Sequence, residues 1–310
     1  MRTVLVKGSA ALAVAAAALG ACSGSDGSDA AADGVRVVVT TSILGDVVRN
    51  LVGDDAEVEV IMPPGSDPHD FAPSPKQAQA MRSADVLVTN GLDFEAALLD
   101  TIEAAAGDGA QVVVASDGLS VIGGREQHDG AADPHFFTDP VLMRAAAEHV
   151  ADRLADLVDG LDSADFRGRV DDYLAALEEL DGEIVGALEA VPEDRRVLVT
   201  NHEVFTYFAA RYDFEVLGTV IPAASTLAEP SAAGLSALAD EIARAGVPAI
   251  FAETSSPARL AEALAAEGAD VDVVELYSES LGERGSDGAT YIDMMRTNAQ
   301  RIAAALTRGR

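Results

Sequence analysis

One long amphipathic segment divides this chain into two halves. Between residues 163 and 191, apolar side chains recur at steps of three and four, which predicts one continuous helix. These positions are Phe166, Val170, Tyr173, Leu174, Leu177, Leu180, Ile184, Val185, Leu188 and Val191. A helix of about thirty residues is roughly 40 Å long at 1.5 Å per residue. Because that length exceeds one side of a small βαβ unit, we expect the segment to link two domains.

Strands and helices alternate on both sides of this segment. Before it, β-branched runs predict strands at 35–40, 56–62, 86–89 and 111–115, with helices at 43–52, 74–82, 94–106 and 140–158. After it, strands are predicted at 196–200, 215–220, 249–252 and 271–276, with helices at 205–212, 231–245, 256–266 and 291–306. This alternation is typical of parallel sheets.

The predicted fold class is therefore α/β, with two lobes that each contain a parallel-type sheet flanked by helices, bridged by one long rigid α-helix. We expect an N-terminal lobe over residues 35–160, a linking helix over 161–192 and a C-terminal lobe over 193–310.

The N-terminus has the layout of an export signal. Arg2 and Lys7 precede an uncharged run of small and apolar residues that is too short to span a bilayer. The run ends in Leu-Gly-Ala-Cys at Cys22, the only cysteine of the chain, which resembles a bacterial lipobox. We expect residues 1–21 to be a signal peptide and residues 22–34 a flexible tether attached to the bilayer through lipidated Cys22. The protein is then extracytoplasmic and lipid-anchored to the outer face of the cell membrane.

The net charge excludes one class of partner. The sequence has 21 Lys and Arg against 52 Asp and Glu, a formal charge of −31. Such an acidic surface repels phosphate backbones, so binding to nucleic acid is not expected.

Three of the five histidines are candidate metal ligands. His69, His135 and His202 lie in loops at the predicted carboxyl ends of strands or at helix starts, where open parallel sheets bind ligands. Imidazole is a ligand for zinc, manganese, iron and copper. His149 lies within a predicted helix, and His128 lies in a polar loop where an accessory metal contact is an open alternative.

Several motifs, taken in order, resemble the zinc- and manganese-binding solute-binding lipoproteins of ABC metal importers. The resemblance spans residues 35–306, nearly the whole mature chain. Its landmarks are the segments 69–75 (His-Asp-Phe-Ala-Pro-Ser-Pro), 133–140 (Asp-Pro-His-Phe-Phe-Thr-Asp-Pro), 201–208 (Asn-His-Glu-Val-Phe-Thr-Tyr-Phe), 251–253 (Phe-Ala-Glu), 276–281 (Leu-Tyr-Ser-Glu-Ser-Leu) and 290–295 (Thr-Tyr-Ile-Asp-Met-Met).

The resemblance implies a metal held between the lobes by four side chains. Three of them correspond to His69, His135 and His202. The fourth is usually an Asp in family members, and Glu279 stands at that place here. Asp287 is the nearby alternative, and water is another way to complete the site. Asp70 and Glu253 are candidates to orient a ligand imidazole, and a structural salt bridge is the alternative role for either.

Three nitrogen ligands and one carboxylate favour Zn²⁺ as the transported ion, with manganese or iron as the alternative. The resemblance further implies a receptor that delivers metal to the permease and ATPase of an importer. We expect a monomer without enzymatic activity. A zinc hydrolase and an adhesin on the same scaffold are the competing classes. Against a hydrolase, the sequence has no His-Glu-x-x-His helix and no nucleophile elbow.

Overall fold

The computed structural model describes residues 35–123, 132–221, 223, 225–228, 231–254, 264 and 271–308. The first half contains β1 (Arg36–Val39), α1 (Ser42–Val52), β2 (Glu57–Val60), α2 (Pro75–Arg82), β3 (Val86–Thr89), α3 (Leu99–Gly107), β4 (Gln111–Val114) and α4 (Pro140–Leu157). It also contains short 3₁₀ turns at Ala96–Leu98 and Phe136–Thr138. The four strands of this half form one parallel sheet in the order β2-β1-β3-β4. We call this half the N-lobe.

The second half repeats that arrangement. It contains β5 (Val197–Thr200), α6 (Thr206–Arg211), β6 (Glu215–Thr219), α7 (Ala232–Ala245), β7 (Ala249–Glu253), β8 (Asp272–Leu276) and α8 (Tyr291–Thr307), preceded by a 3₁₀ turn at Glu193–Arg195. These strands form a second parallel sheet in the order β6-β5-β7-β8, and we call this half the C-lobe. The predicted helix over 256–266 lies outside the described residues except for Leu264.

The linking helix α5 (Ala164–Leu188) has 25 residues and is about 37 Å long. Ser163 caps its first turn by accepting a hydrogen bond from the Phe166 backbone N–H. The helix packs against α1 and α4 of the N-lobe and against α8 of the C-lobe. This is the predicted fold class of two α/β lobes with one long helix between them.

Alternate residues of the strands enter different cores. On β1, Val37 and Val39 face the large central core, and Val38 faces a smaller core on the other side of the sheet. On β5, Leu198 and Val199 divide in the same way. Both sheets are therefore covered on both faces, as parallel sheets require. Within the described ranges, no helix has the length and apolar character needed to cross a membrane.

Candidate metal centre

Two histidines of the N-lobe reach the carboxyl edge of its sheet. His69 lies in the loop that follows β2, and His135 directly precedes the 3₁₀ turn that leads into α4. The start of α4 is set by Asp139, which accepts a hydrogen bond from the Val141 N–H at 2.8 Å, and by Pro140 in the first turn. His135 therefore lies at the end of its loop, where the chain turns back over the sheet.

The C-lobe contributes one imidazole and one carboxylate at the matching edge of its sheet. His202 follows β5 by two residues, and Glu279 follows β8 by three. The turn at His202 is closed by Thr200, whose hydroxyl donates to the His202 carbonyl at 2.7 Å. Because both lobes present the carboxyl ends of their strands to the cleft, the four side chains meet there.

The four side chains converge on a volume that fits one ion. One ligand atom from each lies within 4.8 Å of those of the other three. Oε1 of Glu279 is 2.7 Å from Nε2 of His69 and 3.1 Å from Nε2 of both His135 and His202. All four residues are at least 97% buried, with exposures of 3% for His69, 0% for His135 and His202, and 1% for Glu279.

Two of the imidazoles are oriented by buried carboxylates. Nδ1 of His202 lies 2.7 Å from Oε1 of Glu253, and Nδ1 of His135 lies 2.8 Å from Oδ1 of Asp133. A neutral imidazole that donates from Nδ1 to a carboxylate has its lone pair on Nε2. Both rings therefore present a metal-binding nitrogen to the cluster, which is the usual arrangement of histidine ligands in metal sites.

The charged groups of the site shift the pKa values of one another. Burial alone lowers the pKa of His202, but the carboxylates of Glu253 and Glu279 outweigh it and raise that pKa well above its ordinary value. The pKa of His135 is raised in the same way, because Asp133 and Glu279 outweigh its burial. Burial disfavours the charged form of Glu279, but His202, His135 and His69 outweigh it and hold its pKa well below the usual range. Glu279 is therefore ionised at neutral pH.

The two oxygens of the Glu279 carboxylate differ: Oε1 contacts three imidazole nitrogens, and Oε2 has no hydrogen-bond partner among the described residues. Oε2 is also buried. Leaving a buried charged oxygen unsatisfied costs free energy. A divalent cation among the three Nε2 atoms and this carboxylate would replace the direct nitrogen–oxygen contacts and neutralise the charge, so the donor set suits a metal ion.

Hydrogen bonds join the two lobes at the residues that directly follow Glu279. The hydroxyls of Ser42 and Ser280 are 3.1 Å apart, and Ser42 Oγ also accepts from the Leu281 N–H at 3.0 Å. Ser280 Oγ accepts from the Gly65 N–H at 2.8 Å. The two residues that follow Glu279 in the chain are therefore bonded directly to the N-lobe.

Each N-lobe histidine of the cluster is the last residue of an Asp-Pro-His tripeptide, and this repeat in the sequence was not used as a signal. Asp67 Oδ1 accepts from the His69 N–H at 2.9 Å, and Asp133 Oδ1 accepts from the His135 N–H at 2.9 Å. The same local turn thus presents both imidazoles. Asp67 also accepts from the Thr226 hydroxyl of the C-lobe at 2.6 Å.

The remaining candidate residues lie elsewhere. Asp287 has an exposed side chain that accepts from Tyr277 and Arg301, away from the cluster. Asp70 is exposed, so of the two residues expected to orient an imidazole only Glu253 does so. His149 is half-buried on α4. His128 and Cys22 lie outside the described residues.

Comparison with known proteins assigns the chain to a family. The family described as "ZnuA: Zinc-uptake complex component A periplasmic" matches residues 37–305. The chain belongs to this family. Zinc-binding protein TroA of Treponema pallidum is 34% identical over 286 residues, which are 90% of this chain and 92% of TroA. The solved structure of TroA matches with a TM-score of 0.82 at 32% identity and covers 88% of this chain and 99% of that chain.

Two further relatives carry names that refer to manganese. Manganese-binding lipoprotein MntA of Halalkalibacterium halodurans is 30% identical over 278 residues, 89% of each chain. Manganese ABC transporter substrate-binding lipoprotein PsaA of Streptococcus pneumoniae is 27% identical over 294 residues, 93% of this chain and 94% of PsaA. As a member of the family, the chain is an extracytoplasmic metal-binding receptor of an ABC importer.

Proposed function

We propose that this protein captures Zn²⁺ in the cleft between its lobes, using His69, His135, His202 and Glu279 as ligands, and delivers the ion to its importer. The observation that carries the proposal is the convergence of three imidazole Nε2 atoms and one ionised carboxylate within 4.8 Å of one another, in a buried site. No reaction is required: the protein binds the ion and releases it.

The composition of the site favours zinc. Zn²⁺ is commonly bound in tetrahedral geometry by nitrogen and oxygen ligands, with Zn–N distances of about 2.0–2.1 Å. The four side chains supply three nitrogens and one oxygen, and their burial leaves little room for water ligands. Mn²⁺ prefers more oxygen ligands. TroA, which is named for zinc, is also 34% identical to this chain.

Manganese is the second candidate, and one observation favours it. Within the part of the chain that the structure describes, Oε2 of Glu279 has no hydrogen-bond partner, so the carboxylate can bind through both oxygens and supply a fifth ligand atom. MntA and PsaA, which are named for manganese, support the same alternative. Competitive titration of the mature protein with both ions is one test, and displacement of zinc by manganese contradicts the proposal. Because sites of this kind bind zinc more tightly than manganese whichever ion is the cargo, support requires a second measurement: direct metal analysis of the protein isolated from cells supplied with both ions, in which we expect zinc.

The delivery step follows from the family and the N-terminal sequence. We propose that lipidated Cys22 anchors the mature protein to the outer face of the cell membrane, where a monomer meets the permease that its ATPase drives. We propose that the N-terminal lobe spans residues 35–160, the linking helix 161–192 and the C-terminal lobe 193–310. Metabolic labelling with a radioactive fatty acid, with Cys22→Ser as control, tests the anchor.

The ligand assignment is tested by substituting single histidines. We expect His202→Ala to weaken zinc binding by at least about a hundredfold, because it removes a ligand, while the circular dichroism spectrum is retained. His149→Ala is the matched control, because His149 lies on α4 away from the cluster. Equal zinc affinity for His202→Ala and the wild type would remove His202 from the site.

The competing classes give different results in the same assays. A zinc hydrolase would keep a water on the metal and cleave test esters or peptides. An adhesin that only shares the scaffold would bind no metal with useful affinity. One bound zinc per chain without hydrolysis supports the receptor.

A further inference from the structure

An unusual turn follows β3 in the N-lobe. Gly91, Leu92 and Asp93 have φ values of 85°, 57° and 58°, so three successive residues adopt the left-handed region. A side chain at Gly91 would overlap Ser116 and Val114, so glycine is required there. Leu92 and Asp93 are L-residues in a conformation that they rarely adopt, and such a conformation persists only where the surroundings enforce it.

Glu95 enforces this turn from within the protein. Its side chain is 1% exposed. Oε1 accepts from the Asn90 N–H at 2.6 Å and from the Thr40 hydroxyl at 2.6 Å, and Oε2 faces the Gly91 N–H at 3.4 Å. One buried carboxylate therefore fastens the turn to the ends of β1 and β3.

The turn presents Phe94 to both histidines of the N-lobe. The Phe94 ring centroid lies 5.3 Å from that of His69 and 5.5 Å from that of His135, with interplanar angles of 81° and 89°. These are edge-to-face contacts of favourable geometry. The side chain of Asn90 also donates to the Pro134 carbonyl, next to His135, at 3.1 Å. Both imidazoles thus rest against the segment that Glu95 holds.

We propose that Glu95 is a positioning residue for metal capture, acting on His69 and His135 through Phe94 and Asn90. Among the described residues, its carboxylate bonds to Thr40, Asn90 and Gly91 and not to either imidazole. Its role is to fix the two rings before the ion arrives, so that binding does not have to order them. This inference rests on the proposed function, because it concerns the same four ligands.

The first test compares two substitutions of Glu95. Glu95→Ala removes every acceptor, and we expect the zinc dissociation constant to rise about tenfold, the lower limit for residues that support metal ligands. Glu95→Gln keeps an oxygen for Asn90 and Thr40, and we expect it to retain most of the affinity. If Glu95 instead attracts the cation by its charge, Gln and Ala lose affinity equally, and the proposal is overturned. Wild-type affinity in Glu95→Ala overturns it as well.

The second test does not depend on Glu95→Ala being folded. Phe94→Leu keeps an apolar side chain but removes the ring, and we expect a fivefold to tenfold rise in the zinc dissociation constant, about the effect of losing an aromatic contact. The visible spectrum of the Co²⁺-loaded protein reports the ligand geometry, and we expect it to change in Phe94→Leu. An unchanged spectrum together with unchanged zinc affinity contradicts the proposal.

A control separates positioning from general loss of stability. Met81→Ala opens a cavity in the smaller core of the N-lobe, which also contains Val38. Met81 lies on α2 and is fully buried there. We expect this variant to lose melting temperature while keeping the wild-type zinc affinity and Co²⁺ spectrum. If Met81→Ala shifts both as Phe94→Leu does, the effect is general and the proposal is wrong. Wild-type protein that fails to bind zinc would instead reject the proposed function.

Discussion

The His202 imidazole donates from Nδ1 to Oε1 of Glu253 across 2.7 Å, and neither side chain is accessible to solvent. The same oxygen accepts from the His202 backbone N–H at 3.2 Å, and Oε2 accepts from the Ser278 hydroxyl at 3.0 Å. Glu253 thus fixes the ring and the backbone of His202 together, at the end of β7, which lies beside β5 in the sheet.

Removing this carboxylate should weaken metal binding without removing a ligand. We expect Glu253→Ala to raise the zinc dissociation constant by about 10- to 100-fold, because the imidazole loses its orienting partner. The stoichiometry should stay at one zinc per chain. Isothermal or chelator-competition titration measures both. Glu275→Gln, an exposed change on β8, is the control, and an affinity no lower in Glu253→Ala than in this control would show that Glu253 has no such role.

The identity of the fourth ligand can be tested with a pair of isosteric changes. We expect Glu279→Gln to weaken zinc binding strongly, since it removes the charged donor, and Asp287→Asn to leave the affinity unchanged, since that side chain is exposed and bound to Tyr277 and Arg301. Titration of both variants under the same conditions gives the comparison. The reverse order of effects would assign the fourth ligand to Asp287.

The stabilisation that zinc confers should increase with pH. The folded metal-free protein raises the pKa of His135 and His202, so their contribution to stability is complete below about pH 6.5 and is lost as the pH rises through the raised values. The lowered pKa of Glu279 contributes above about pH 4.3 and is lost in acid. Zinc competes with the imidazole protons, so its binding strengthens as they leave.

Thermal unfolding between pH 5.5 and pH 8.5 with and without zinc measures this effect. We expect the increase in melting temperature on adding zinc to be larger at pH 8 than at pH 6. His202→Ala should reduce the increase at every pH. A zinc-induced increase that is constant or larger at pH 6 would contradict the assignment of these imidazoles as ligands.

The stability of the protein should depend on the buried face of the linking helix α5. Leu177 on α5 is fully buried in the central core, so Leu177→Ala should lower the free energy of unfolding by about 2–5 kcal/mol. Val185 on the same helix is 45% exposed, and Val185→Ala should change it by less than about 1 kcal/mol. Chemical denaturation of the zinc-free variants provides the values. Equal losses for both would mean that α5 does not bury this face as described.

Most of the fold could be predicted from the sequence because its elements carry strong local signals. The α2 and α4 helices begin within one residue of their predicted starts at residues 74 and 140, because Ser74 and Asp139 cap them and Pro75 and Pro140 follow in the first turn. The spacing of apolar residues predicted α5 within a few residues of its limits. Local sequence was misleading at one place: a helix was predicted from Phe94, but α3 begins at Leu99 after the left-handed turn. That turn depends on buried bonds to Thr40, which is distant in sequence.

The candidate ligands could be predicted because histidines are few and the resemblance gives their order. Of the residues that orient them, Glu253 was predicted and Asp133 was not, because these roles depend on loop conformation. Asp133 lies only two residues from His135, yet its bond to Nδ1 requires a specific backbone turn. Asp70, directly after His69 in sequence, is exposed, and Asp67, two residues before His69, accepts a hydrogen bond from the His69 backbone N–H.

The bonds from Ser280 and Leu281 to Ser42 and Gly65 place some of the hydrogen bonds between the lobes next in sequence to the negatively charged Glu279. Under the proposed function, a permease that draws the lobes apart would break these bonds one and two residues from Glu279, so separation of the lobes would disturb the carboxylate donor as it opens the cleft. Loss of affinity and opening of the route would then result from one movement.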